Sequence, residues 1–296
     1  MLLHPSAQLG WTQFTVHPST AIGIAALGSA YAWRARRGPS ASDGPKSARS
    51  ADGRPQPTAE RAAAGPSLGQ RTSFFLSLLL LFLTLNGPLH DLSDFYLFSA
   101  HMVQHLIMTL VVPPLMILGT PGWMLRPLIR GPRMFRLARA LTTTTACFTV
   151  FNLVLAFWHL PPMYNLALAN HPIHIVQHLM FLVSSVLMWW PLTSPMPELP
   201  RAAYPAQMLY CFLMSIPMSI IAIYIVMADS TLYPAYASAP RVMGITPMMD
   251  QMSGGLIMWI PSGLFFYSVM TVVFFKWVGR GEDDQASAQV GWVASS

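Results

Sequence analysis

His101-Met102-Val103-Gln104-His105-Leu106-Ile107 returns about seventy residues later as His174-Ile175-Val176-Gln177-His178-Leu179-Met180. Five of the seven positions are identical, and each copy opens a long apolar run. Residues four apart share one face of a helix, about 6 Å apart along its axis. Each copy therefore points two imidazoles the same way, and two copies can bring four together. Imidazole is the commonest metal ligand in proteins, and a polar or ionisable group in a membrane helix marks function by default. A lone His–Gln pair would only hydrogen-bond neighbouring helices. A duplicated pair points to a metal or cofactor site.

The apolar runs decide the fold. Of the 296 residues, 53% are hydrophobic and only 9% charged, against about 25% charged in soluble domains. Runs of about 18–25 apolar residues are long enough to cross a bilayer as helices, and the period-two alternation of a membrane β-barrel is missing. The expectation is an all-α polytopic membrane protein with seven transmembrane helices, at about 14–33, 72–89, 95–118, 142–160, 173–192, 205–227 and 251–275. Pro113-Pro114 should kink the third. Residues 1–34 then form an outer N-terminal segment and the first span. Residues 35–71, dominated by Pro, Ser, Gly, Ala and Arg, should be a disordered cytoplasmic loop. Residues 72–275 make a six-helix membrane domain carrying the duplicated His-x-x-Gln-His helices, and 276–296 a polar cytoplasmic tail. The arginine-rich stretch 119–141 suits a short helix along the membrane surface.

Basic residues gather in cytoplasmic loops. With the N-terminus outside and the C-terminus cytoplasmic, every Lys and Arg except Arg241 falls on the cytoplasmic side. All nine histidines, including His4, His17 and His171, then fall on the outer side. The metal would be met at the non-cytoplasmic face. The repeat also extends outward: spans 2 and 4 end in His90 and His159, and spans 3 and 5 descend with the paired histidines. Two hairpins of parallel topology result, with spans 3 and 5 facing each other as in metal-binding bundles.

Imidazoles suit copper, zinc, iron and nickel, and thioethers tilt the choice toward Cu(I). Met102, Met108, Met180, Met248, Met249 and Met252 lie near the outer halves of spans, although Met is also ordinary helix filler. Asp91, Asp94 and Asp250 are the ionisable groups at this level. Asp250 could be a ligand, an acceptor for an imidazole N–H or a helix cap. Gln104 and Gln177 suit supporting hydrogen bonds. Trp158 and Trp189-Trp190 fit interfacial belts. The metal set expected from the residues is His101, His105, His174 and His178, with His90, His159 and Asp250 as supplementary groups; His171 competes with His174. Cys147 and Cys211 lie inside apolar runs and suit small buried hydrophobes. The net charge of +6 resides in loops and does not imply nucleic acid. The first apolar stretch has its arginines after it, opposite to a secretory signal. No HExxH, GxSxG, P-loop or dinucleotide fingerprint occurs.

Phe98-Ser99-Ala100-His101-Met102-Val103-Gln104-His105, then Pro113-Pro114-Leu115 and Gly119-Thr120-Pro121, resembles the CtaG family of caa-type cytochrome c oxidase assembly factors. Trp158-His159-Leu160-Pro161 with Tyr164, the His174–His178 segment, and Trp11 with His17-Pro18 fit the same pattern. The resemblance implies a non-catalytic, seven-helix protein of the bacterial plasma membrane that handles copper for the oxidase's Cu(B) centre. Its implied partners are oxidase subunit I and other copper-handling assembly proteins, with membrane lipid around it. Two other readings remain open on the residues: a histidine-cluster membrane oxidase or hydroxylase, and a haem b electron-transfer protein.

Overall fold

A computed structural model describes residues 14–39, 65–241 and 244–293, with side chains through residue 280. Among the described residues every regular element is helical. The elements that position the site are α1 Pro18–Arg37, α2 Leu68–Thr84, α3 Pro88–Phe95, α4 Phe98–Leu106, α5 Val112–Gly119, α6 Pro132–Leu141, α7 Thr144–His159, α8 Pro161–Ala169, α9 His171–Thr193, α10 Tyr204–Val226, α11 Pro234–Ala237 and α12 Pro247–Val293. Four stretches are long and apolar enough to cross a membrane: Phe98–Gly119, His171–Thr193, Tyr204–Val226 and Pro247–Arg280. Counting the bent pairs α2–α3 (48°) and α6–α7 (71°) as single spans gives up to six. Helix α1 is long enough, but Gly, Ser and Thr dilute its apolar content, so it does not join that count.

Local chemistry sets the helix ends. Ser67 and Gln70 form a reciprocal capping box at the start of α2. The turn into α3 rests on Gly87 at φ 70°, where a side chain would be strained and a Cβ would lie 2.5 Å from the Phe14 ring. The Gly87 N–H donates to Thr15 O at 2.9 Å, and the Thr15 hydroxyl donates to the Asp91 carboxylate. The segment before α1 is thereby strapped across the α2–α3 bend. At the other side, Gly254 and Gly255 let α12 close on α4 and α10. A Cβ would overlap the Phe98 ring at the first and press Val226 at the second, the small-residue contact on which membrane helices pack.

Several expectations are corrected here. At the two ends of the stretch 35–71, α1 runs on to Arg37 and α2 begins already at Leu68; residues 40–64 lie outside the described residues. The chain after Lys276 continues as helix to Val293. The break in span 3 is a π-helical turn, Ile107–Val111, ahead of the prolines. There the Val112 N–H reaches back five residues to Ile107 O. Pro113 offers no N–H to the Thr109 carbonyl four residues earlier, and the indole N–H of Trp189 takes that carbonyl at 2.9 Å. Trp158, Trp189 and Trp190 are buried in the protein rather than arrayed as interfacial belts. Cys147 and Cys211 are free and buried.

The two halves share a pattern of long helix, short proline-started helix and returning histidine helix: α2–α3–α4 and α7–α8–α9. His90 and His159 are not equivalent within it. His90 lies two residues after Pro88, inside the short helix α3, whereas His159 lies two residues before Pro161, at the end of α7. The matching sequence order conceals a different place in the fold.

Candidate metal centre

Helix α4 begins at Phe98 without a side-chain cap from its own N-cap residue. Asp250, three residues into α12, supplies it. One carboxylate oxygen accepts the Phe98 N–H at 2.7 Å, and the other accepts the Ser99 N–H at 3.0 Å together with the Ser99 hydroxyl. Helix α9 is capped by Asn170, whose side chain accepts the Ile173 N–H. The two helices so fixed bring the repeated histidines together. Ring centroids are 4.3 Å apart within each pair. Between pairs they are 5.8 Å apart for His101–His174, 6.1 Å for His101–His178 and 5.5 Å for His105–His178.

Potential donor atoms converge in two overlapping groups. One atom each from His101, His105 and His178 lies within 4.8 Å of the others, as does one each from Asp94, His101 and His174. A tetrahedral ion with bonds of about 2 Å sets its ligand nitrogens roughly 3.3 Å apart, so binding would draw these donors closer together.

The surrounding hydrogen bonds assign tautomers. The Tyr236 hydroxyl lies 2.6 Å from Ser93 O, 3.1 Å from the Tyr164 hydroxyl and 3.2 Å from His101 Nδ1. A carbonyl only accepts, so the single Tyr236 proton goes to Ser93. The phenol oxygen then accepts from Tyr164 and from the Nδ1–H of His101. Burial holds the Tyr236 phenol well above its ordinary pKa, so it stays a neutral hydroxyl. His174 places Nδ1 3.3 Å from Asp94 Oδ2, and His159 donates Nδ1–H to Leu155 O at 2.7 Å. All three rings therefore carry their proton on Nδ1 and keep Nε2 as a lone pair, buried and without a hydrogen-bond partner. A ring held by its N–H to oxygen while the other nitrogen stays open is how proteins prepare metal-binding histidine. Both nitrogens of His105 and Nε2 of His178 are likewise buried without partners.

His90 joins the cluster in another way. Its ring lies 6.3 Å from both His174 and His178. Its Nδ1 takes the Gln104 amide at 2.9 Å and its Nε2 faces Asp94 at 3.4 Å. Gln104 also donates to Thr84 O and accepts from the Ser93 hydroxyl. With both nitrogens engaged, His90 orients Asp94. His159 stands deeper, with its ring 6.1 Å from Phe181 and sharing a cavity wall with His105. Asp250 lies outside the converging donors, its carboxylate committed to α4. His171 is exposed; its ring lies tilted against His17 at 5.9 Å, and His17 meets His90 edge-on at 4.4 Å. Of the two competitors, His174 is the one in the cluster. His4 lies outside the described residues. The residues that the supplementary set omits are Asp94 and Tyr236. Asp94 stands four residues after His90 on one helix, a spacing that places the two on one face; Tyr236 has no such local signal.

The cluster offers imidazole nitrogens and one carboxylate, a donor set for a borderline transition metal. The cavities that reach these rings measure about 20 Å3, at His105 and His159, and about 190 Å3, at His178. A family model described as "Cytochrome c oxidase caa3 assembly factor (Caa3_CtaG)" matches residues 56–280, a range that includes both histidine pairs and Asp250. No curated protein and no solved structure matches the chain.

Proposed function

Because this chain belongs to the Caa3_CtaG family of cytochrome c oxidase caa3 assembly factors, we propose that it carries copper for the oxidase and supports formation of the Cu(B) centre. The carrying observation is the set of buried Nε2 lone pairs on His101 and His174, each ring fixed through Nδ1–H, beside His105 and His178. Neutral imidazoles bind a cation without a proton having to leave them, and Asp94 contributes the one negative charge at the donor set. The cluster holds more donors than a three- or four-coordinate ion uses. Ligands can then be exchanged one at a time, which suits cargo that must later leave. Nothing in this role calls for catalysis by the chain itself.

The same reading places the protein in a bacterial plasma membrane with seven spans, α1 included, its N-terminus and metal cluster on the non-cytoplasmic side. Exposed Ile22, Leu27 and Trp33 on α1 support a lipid-facing first span. Residues 35–71 and 276–296 fall on the cytoplasmic side, and 72–275 form the membrane domain. Oxidase subunit I receives the copper, and other copper-handling assembly proteins supply it.

Two measurements test the reading. Purified protein should contain copper and show no Soret band, and His105→Ala or His178→Ala should lower the bound copper while the protein remains inserted. Cells lacking the protein should make oxidase polypeptides whose binuclear centre lacks copper. Normal oxidase activity in such cells on limiting copper would overturn the proposal.

A further inference from the structure

His105 and His159 share a setting distinct from the donor groups above. On the side of α7, α10 and α12, a cavity of about 20 Å3 is lined by these two imidazoles together with Met102, Met218 and Met258. All five side chains are buried. The volume holds one water molecule or one ion. The three methionines come from three helices, α4, α10 and α12. Methionine is common filler in this chain, with twenty copies. These three differ from filler because they border the same small void as ring nitrogens without partners: Nε2 of His159, whose Nδ1–H is tied to Leu155 O, and both nitrogens of His105. Dry cavities are apolar, and a cavity with unsatisfied nitrogen on its wall calls for an occupant.

Thioether and imidazole together favour a soft ion, Cu(I) before the divalent metals. No carboxylate borders the void. The cost of burying an ion rises with the square of its charge, so neutral ligands in a buried site also favour the monovalent ion. We infer that the protein has a second metal site here, a Cu(I) site formed by His105, His159 and methionine sulfur from Met102, Met218 and Met258. His105 also belongs to the upper cluster, but its neutral ring has a single lone pair; with both sites filled it serves the lower ion, while Asp94, His101 and His174 hold the upper one, and an ion could pass between the sites by exchanging one ligand at a time. The identity of the cargo rests on the copper reading above; the site itself rests on the cavity and its donors.

The test is anaerobic titration of the full-length protein with Cu(I) against a chromophoric chelator, with X-ray absorption on the loaded protein. Wild type should take two ions and show Cu–S scattering. A Met218→Leu/Met258→Leu variant, close to volume-conserving, should take one ion and lose the sulfur shell. Selenomethionine labelling, which leaves packing intact, should turn Cu–S into Cu–Se scattering. A single ion with only nitrogen and oxygen neighbours in wild type, or unchanged stoichiometry in the methionine variant, overturns the second site and leaves the first standing. Asp94→Asn/His174→Ala should abolish the other ion and keep the sulfur-bearing one. If it changes nothing while the methionine variant loses its ion, the upper cluster fails as a copper site and the inference stands. No Cu(I) bound by wild type overturns both.

Discussion

Tyr236 shows how one hydroxyl can prepare a histidine. Its proton goes to Ser93 O, so its oxygen can only accept from His101, and His101 must present Nε2 to the cluster. Replacing Tyr236 with Phe keeps the ring and removes the acceptor. Supporting partners of metal-bound histidine are worth about 10–100-fold in affinity, and a loss of that size is expected in copper titrations of Tyr236→Phe with the helical content unchanged. An unchanged affinity would mean that His101 needs no such hold. The four paired histidines were legible from spacing alone, because four-residue separation on a helix dictates a shared face. Tyr236 was not, since it lies 135 residues from His101 in the chain. Asp94 was half legible: its spacing to His90 is helical, but its contact with His174 crosses between helices. Met218 and Met258 carried no signal, being indistinguishable in sequence from the other apolar positions of their spans.

At the scale of elements, α4 depends on a carboxylate from another helix. Asp250 is 1% exposed, and its removal would leave the first amide hydrogens of α4 buried without acceptors. Caps and charge-assisted hydrogen bonds contribute about 1–3 kcal/mol. Asp250→Ala should therefore lower thermal stability in detergent by an amount of that order and weaken copper binding with it, as His101 and His105 shift. Asp250→Asn, which can still accept, should fall between. Equal melting of Asp250→Ala and wild type would dismiss the capping role. A cap on its own helix could be suggested from an Asp near a helix start; service to a helix 152 residues away could not. The hydrophobic runs marked most of the long helices because burial and lipid contact both demand apolar side chains. The π turn escaped notice because an extra residue in a wholly apolar stretch leaves the pattern of residue types unaltered. Short α8 falls between the expected spans 142–160 and 173–192, although Pro161 sits where a first helical turn accepts proline.

For the whole molecule, the proposed orientation rests on where arginine and lysine collect. Introducing Ser50→Cys should give a residue inaccessible to an impermeant maleimide in intact cells and reactive after lysis. The natural cysteines are both buried and should add little background. Labelling from outside would invert the topology and put the histidines on the wrong face for the proposed role. The site also has an order built into the chain. All nine histidines occur by residue 178, whereas Tyr236, Asp250 and Met258 come later. A ribosome thus delivers every imidazole before it delivers the hydroxyl that sets His101, the carboxylate that anchors α4 or the last sulfur of the deeper cavity. A membrane-inserted fragment ending at Val226 should bind copper far more weakly than the finished protein, despite its full complement of histidines. With copper as the proposed cargo, its capture would wait until translation is complete, and a stalled or truncated chain would be a poor sink for it.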